Sequence, residues 1–259
     1  MDALYDVIDS ISTLPLWQAA FWVSLANVVM FVFTVVIGEA LVLRHSQRRI
    51  TPIPAPFSRI EMLLAVFCVV LNAAFAVVGV ILWREGIIEI RPYGDYSALT
   101  VLADSAILFV AMDFSMYVFH RVAHHPIFYP LAHRTHHQYE SPRPISLFVL
   151  NPMEVIGFGT LWLIVVSLYT SSIEGILIYL ALNLVFGMVG HLGVEPAPAA
   201  WVRTPILRYF STSTFHAEHH GTRHYNYGFY LIVWDRLFGT LSPEYAADFD
   251  RTHLSLIHI

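Results

Sequence analysis

Five apolar runs, each near the length of a membrane crossing, constrain this chain more than any other feature. They occupy residues 14–43, 60–83, 99–119, 155–169 and 173–190. A helix needs about 20 apolar residues to cross a hydrocarbon core of about 30 Å. With 57% hydrophobic against 13% charged residues, the whole chain is too apolar for an ordinary soluble domain. The first run is too long and too poor in N-terminal positive charge for a cleaved signal peptide. The fourth is short for a full span and is compatible with a partly re-entrant helix. No repeat, low-complexity segment or Gly/Ser-rich linker divides the chain, so residues 1–253 read as one all-α, polytopic membrane bundle of four to five helices. The less apolar segment after His191, with Pro196, Pro198 and Pro205, is expected to form a helical cap.

Orientation follows from arginine placement, since all 14 basic residues are arginine and none is lysine. The first loop carries Arg44, Arg48, Arg49 and Arg59, whereas the N-terminus carries Asp2, Asp6 and Asp9 without a basic residue. That loop is expected to be cytoplasmic. Counting crossings puts the end of the third run, residues 121–143, His191 and everything after it on the same side. The arginine-only composition and compact length point to a bacterial inner membrane. No basic patch suggests nucleic acid. The one cysteine, Cys68, lies inside an apolar run and supplies neither a disulfide framework nor a thiolate site.

Histidine is the anomaly: there are 14, and most fall between His120 and His224. His120 and His124 are four apart at the end of the third run and share a helix face, with Asp113 and Tyr117 on the same stripe. A carboxylate and a phenol there are candidates to orient the imidazoles. His133-Arg134-Thr135-His136-His137 and His216-Ala217-Glu218-His219-His220 both have the form HxxHH, which on a helix presents three nitrogen ligands to one side within a turn. Eight histidines in three clusters exceed what one four- to six-coordinate ion can use, and His191 adds a ninth, so two metals are implied. Imidazole suits iron, zinc, copper and nickel. Many neutral ligands without thiolate favour iron that activates dioxygen.

At this point the sequence resembles the fatty acid hydroxylase superfamily, which includes sterol desaturases, sterol methyl oxidases, sphingolipid and fatty acid hydroxylases and alkylglycerol monooxygenases. The likeness covers roughly residues 113–240, within a motif-bearing part of about 103–243. It rests on the Asp113, Tyr117, His120, Arg121, His124 stripe, both HxxHH clusters, Gly190-His191, Asn226-Tyr227-Gly228 and the closing Trp234-Asp235-Arg236-Leu237-Phe238-Gly239-Thr240. The resemblance implies two non-haem irons, dioxygen as co-substrate and a lipid drawn from the bilayer, hydroxylated or desaturated. It carries over His120, His124, His133, His136, His137, His191, His216, His219 and His220 as ligands. His125 competes with His124, and His224 is a further candidate ligand or surface histidine. Two departures stand out. Asn151-Pro152-Met153-Glu154 replaces the His-Pro-x-x-Glu of many relatives, leaving Asn151 and Glu154 as candidate supporting residues. Glu195 stands where fatty acid 2-hydroxylases tend to have a histidine, and is a candidate ligand or acceptor.

Trp234 and Asp235 read as a packing and hydrogen-bonding element that closes the cap over the metals. Asn72 and Asn183 read as helix–helix hydrogen bonders, and Asp104 as facing the opposite leaflet. Without CxxCH or GxGxxG, electrons are expected from a ferredoxin or small cytochrome with its reductase; Arg121, Arg134, Arg203, Arg208 and Arg223 either help dock it or simply hold the cytoplasmic orientation. A carotenoid hydroxylase or acyl-lipid desaturase is the nearest alternative, and a metal transporter or storage protein the distant one. Leu254-Ser255-Leu256-Ile257-His258-Ile259 reads as one frame of a transposon-adapter sequence from DNA library preparation, so the authentic chain is expected to diverge beyond about His253.

Overall fold

The computed structural model describes residues 2–254; the tail from Ser255 onward, including His258, lies outside them. Among the described residues the fold is entirely helical. Its α-helices are α1 (Asp2–Thr13), α2 (Leu16–Arg44), α3 (Arg59–Arg84), α4 (Ala98–Ala123), α5 (Tyr129–Ala132), α6 (Pro152–Leu168), α7 (Ile173–Gly190), α8 (Ser213–Thr222), α9 (Val233–Phe238) and α10 (Tyr245–Leu254). Four of them, α2, α3, α4 and α7, are long and apolar enough to cross a membrane. The sequence reading did not separate α1, which ends before Pro15 starts α2. A proline at that point is tolerated because the first N–H groups of a helix have no internal partner.

Caps fix where the long helices begin. The Ser58 hydroxyl accepts from Glu61 N while Glu61 accepts from Ser58 N at 2.8 Å, closing a capping box at the start of α3. Ser97 does the same for α4, Ser172 caps α7, and Asn151 caps α6 with Pro152 in its first turn. α2 and α3 expose large apolar side chains such as Trp22, Phe33, Leu63 and Val70. In lipid this costs nothing, because the surrounding tails are equally apolar.

The most buried of the long helices, α4, packs against both α6 and α7. Leu108, Phe109, Met112 and Met116 meet Val166, Tyr179 and Tyr230 in the main core. Phe119 of α4 lies against the backbone of Gly157 in α6, where any Cβ would collide with its ring. At 17 residues α6 is about as long as α7, roughly 26 Å, and it reaches the turn at Ser171–Ser172 rather than folding back part-way. Buried Asp104 holds that turn: it accepts from Tyr169 OH at 2.6 Å and Ser172 N at 2.7 Å, with Arg91 Nε at 3.4 Å. Asp104 therefore sits at the end of the bundle opposite His120, about 24 Å along α4.

The other end carries every histidine cluster. There the loop after α2 pairs with the segment after α7, through Ile50 N to Gly193 O (3.0 Å) and Glu195 N to Arg48 O (2.9 Å). α8, α9 and α10 cover this end as a cap. Of the two asparagines expected to join helices, Asn183 accepts from Tyr230 OH of the cap at 2.6 Å, whereas Asn72 contacts only Cys68 of its own helix.

Candidate metal centre

Nine histidines arrive from four stretches of chain. His120 ends α4 and His124 is its C-cap; His133 caps α5, with His136 and His137 in the following 3-10 turn; His191 caps α7; His216, His219 and His220 lie on α8. They form two groups, one of His120, His124, His133, His137 and His219, the other of His136, His191, His216 and His220, with ligand atoms in each group within 4.8 Å of one another. This corrects the expectation that the three histidines of each HxxHH face one side. At about 100° per residue, positions i and i+4 nearly eclipse while i+3 lies about 100° away from i+4. His216 and His220 thus converge on one point, and His219 turns to the other. His133, His137 and His136 divide in the same way, although that segment is not a continuous α-helix.

Hydrogen bonds assign the free nitrogens. Carbonyl oxygens cannot donate, so the Nδ1 atoms that face Tyr227 O (His120, 2.9 Å), Val149 O (His136, 3.4 Å), Gly187 O (His191, 2.8 Å) and Tyr225 O (His219, 2.6 Å) must carry the proton. In the neutral ring this leaves each Nε2 as a bare lone pair. Burial, with the neighbouring imidazoles, holds the rings neutral: His136 is pushed down to about 3, His124 to about 2, and His133, His216, His219 and His220 far below their ordinary range. His191 is lowered to about 4 by burial alone.

These nitrogens crowd together. In the five-histidine group the Nε2–Nε2 separations are 2.9 Å for His120–His133 and 3.1 Å for His137 to each of His124, His133 and His219. In the four-histidine group they are 3.1 Å for His216–His220, 3.2 Å for His191–His216 and 3.4 Å for His136–His191. Where both rings keep the proton on Nδ1, as His136 and His191 do, lone pairs at such distances repel unless a cation lies between them. With metal–nitrogen bonds of about 2.1 Å, ligand nitrogens at right angles stand about 3.0 Å apart and tetrahedral ones about 3.4 Å. The donor set therefore fits two metal ions.

The remaining sequence candidates fall elsewhere. His125 and His224 are exposed and join neither group. Glu154 touches the centre, with Oε1 2.7 Å from His133 Nδ1, both side chains buried. Asp113 and Tyr117, expected to orient imidazoles, face the cap instead. Asp113 accepts from Tyr230 N and Trp234 Nε1, both at 2.8 Å, and Tyr117 OH meets Thr240 Oγ1 at 3.0 Å. Seven residues before His120, Asp113 lies about two turns from the cluster. Asn151 caps α6 and reaches Thr135 Oγ1 at 3.4 Å. Glu195 is not aimed at a histidine: it accepts from Thr214 N and Oγ1 at 2.9 and 2.6 Å, fastening the first turn of α8, where a carboxylate suits the helix dipole.

Sequence reasoning missed the four supporting carbonyls, because a backbone acceptor has no side-chain signature. It also passed over Glu218, which accepts from Asn226 Nδ2 at 2.9 Å and from Ser242 Oγ. Asn226 in turn donates to Phe215 O at 3.0 Å and holds a left-handed φ of 61°, a conformation asparagine tolerates better than most residues. The quoted Asn226-Tyr227-Gly228 string was the available clue.

The family model described as fatty acid hydroxylase matches residues 105–240, more than half of the chain and all nine histidines. The chain belongs to the fatty acid hydroxylase family. Similar members of known description include a candidate methylsterol monooxygenase of Dictyostelium discoideum, 27% identical over 160 residues, covering 62% of this chain and 57% of the relative. A Delta(7)-sterol 5(6)-desaturase of Aspergillus fumigatus is 30% identical over 135 residues, 51% of this chain and 36% of its own. Human alkylglycerol monooxygenase is 27% identical over 148 residues, 52% and 30%. This family member thus spans from about a third to somewhat over half of the length of those relatives. No solved structure matches it.

Proposed function

We propose that the protein is a membrane-bound, non-haem di-iron oxygenase that hydroxylates or desaturates a lipid, such as a sterol or an acyl chain. The observation that carries this is the pair of convergent groups of imidazole nitrogens buried under a cap at one end of a membrane-spanning bundle. Bound iron would supply, with dioxygen and electrons from an external ferredoxin or small cytochrome, the oxidising power to attack an unactivated carbon–hydrogen bond. The chain's own work is to hold and shield. Nine imidazoles would hold the two ions, and Glu154 and the four carbonyls keep the rings in register. Phe229 packs 5.0 Å from His120 and Phe158 lies 5.4 Å from Phe229, giving the centre an apolar wall on the α6 side that suits an alkyl substrate and excludes water. Relatives named for sterols and alkylglycerols support the lipid class.

The side of the membrane is part of the proposal. Twelve of the 14 arginines, all but Arg84 and Arg91, lie at the histidine end or in the cap, as the positive-inside rule expects of a cytoplasmic face, here of a bacterial inner membrane. A metal transporter would place its ligands along a path at bilayer depth, whereas these are sealed beneath α8 and α9. The test is iron analysis and Mössbauer spectroscopy of detergent-purified, iron-57-labelled protein, with His136→Ala and His219→Ala representing the two groups, followed by a product screen on defined lipids. About two coupled irons per chain, diminished in each variant, and an oxidised lipid product are expected. A single zinc and no lipid oxidation in iron-replete preparations would sink the reading.

A further inference from the structure

Asp235 is fully buried in α9 and touches no histidine. Its Oδ1 accepts from Tyr227 N at 2.8 Å and Thr240 Oγ1 at 2.7 Å, and its Oδ2 accepts from Gly228 N at 2.8 Å. The Gly228 N–H belongs to the same peptide unit as the Tyr227 carbonyl, and that carbonyl accepts from His120 Nδ1 at 2.9 Å. A trans peptide is rigid and planar, with its N–H and C=O pointing in opposite directions. Clamping the N–H on one side therefore aims the carbonyl at His120 on the other. We propose that Asp235 is a positioning residue for His120, acting through the Tyr227–Gly228 peptide to hold the imidazole with Nδ1 protonated and Nε2 presented to the five-histidine site.

Three further observations support this. Gly228 is required for the approach: a Cβ there would stand 2.8 Å from Asp235 Oδ2 and 2.6 Å from Leu231 O. Among the four carbonyls that accept from cluster imidazoles, this is the one whose peptide N–H meets a carboxylate; the peptide after Tyr225 donates to Thr240 O instead. The support also closes on itself, because neighbouring Trp234 donates to Asp113 of α4 at 2.8 Å, and α4 is the helix that carries His120. A carboxylate on the N–H side polarises the peptide and strengthens its carbonyl as an acceptor, which makes the imidazole a better metal ligand.

The proposal rests on the two-ion reading, and cobalt(II) titration of the full chain in detergent, followed by visible absorption, separates the two. His120→Ala and His191→Ala mark which equivalent belongs to which group. Asp235→Asn should weaken the equivalent that His120→Ala weakens by about ten- to a hundred-fold, leaving the other unchanged. Thr240→Val, which removes one donor to the carboxylate without touching the peptide, should weaken the same equivalent several-fold and serves if Asp235→Asn does not fold. Unchanged binding at both sites, or equal weakening of both as general loosening of the cap would give, overturns the positioning role. A wild-type protein that binds no second equivalent overturns the two-ion reading and this proposal with it.

Discussion

Removing the metal and lowering the pH from 7.5 to 5.5 should dismantle the cap, and the size of the effect follows from the buried rings. His133, His136, His137, His191, His216, His219 and His220 are all buried and outside the long spanning helices, and each has its folded pKa depressed below the ordinary 6.5. A depressed folded pKa leaves stability intact above the unfolded value and removes it as pH falls below that value, because only the unfolded chain takes up the proton. At pH 5.5 each ring contributes about 1.4 kcal/mol of this penalty, and the seven together reach on the order of 10 kcal/mol, comparable with the whole stability of a typical domain. The assay is near-UV circular dichroism and denaturant midpoint of metal-free protein at pH 7.5, 6.5 and 5.5, with proton uptake followed potentiometrically. Metal-loaded protein should resist, since a bound cation excludes the proton from each nitrogen. Metal-free stability that is flat across this range, with no proton uptake, would refute the assignment of neutral, inward-facing imidazoles.

Glu154→Gln removes the carboxylate beside His133 Nδ1 and should lower metal affinity by about ten- to a hundred-fold, measured by competition with a chelator. His125→Ala and His224→Ala, at exposed positions, should leave the metal content of purified protein at the wild-type value; loss of an ion in either would place a ligand outside the two groups. Asp104→Ala strips Tyr169, Ser172 and Arg91 of a buried partner and should cost about 2–4 kcal/mol of stability in detergent denaturation while metal stoichiometry stays unchanged.

Local patterns made much of this protein legible. The apolar runs specified α2, α3, α4 and α7 almost to their ends, because membrane thickness and helix rise fix the length a spanning helix must have, and the shorter fourth run marked α6. Spacing also singled out the three histidine clusters, since an imidazole cluster leaves a signature that other residues do not; His191 came in through the family resemblance, and His124 and His125 stayed in competition. Orientation effects were less accessible. Asp113 and Tyr117 share the His120 stripe, yet the cap draws both away, because residues about one and two turns along a helix meet whatever packs there.

By itself, then, the sequence determined that there is a membrane bundle and that its histidines cluster at spacings suited to metal ligation, both being properties of periodicity and residue type. Tertiary structure decided how those histidines divide into two groups, why His124 rather than His125 turns inward, and which backbone groups meet them. Those outcomes depend on the angle at which α8 and the 133–137 turn meet α4, and on backbone carbonyls such as Tyr227 O, which meets His120 from more than 100 residues away in the chain.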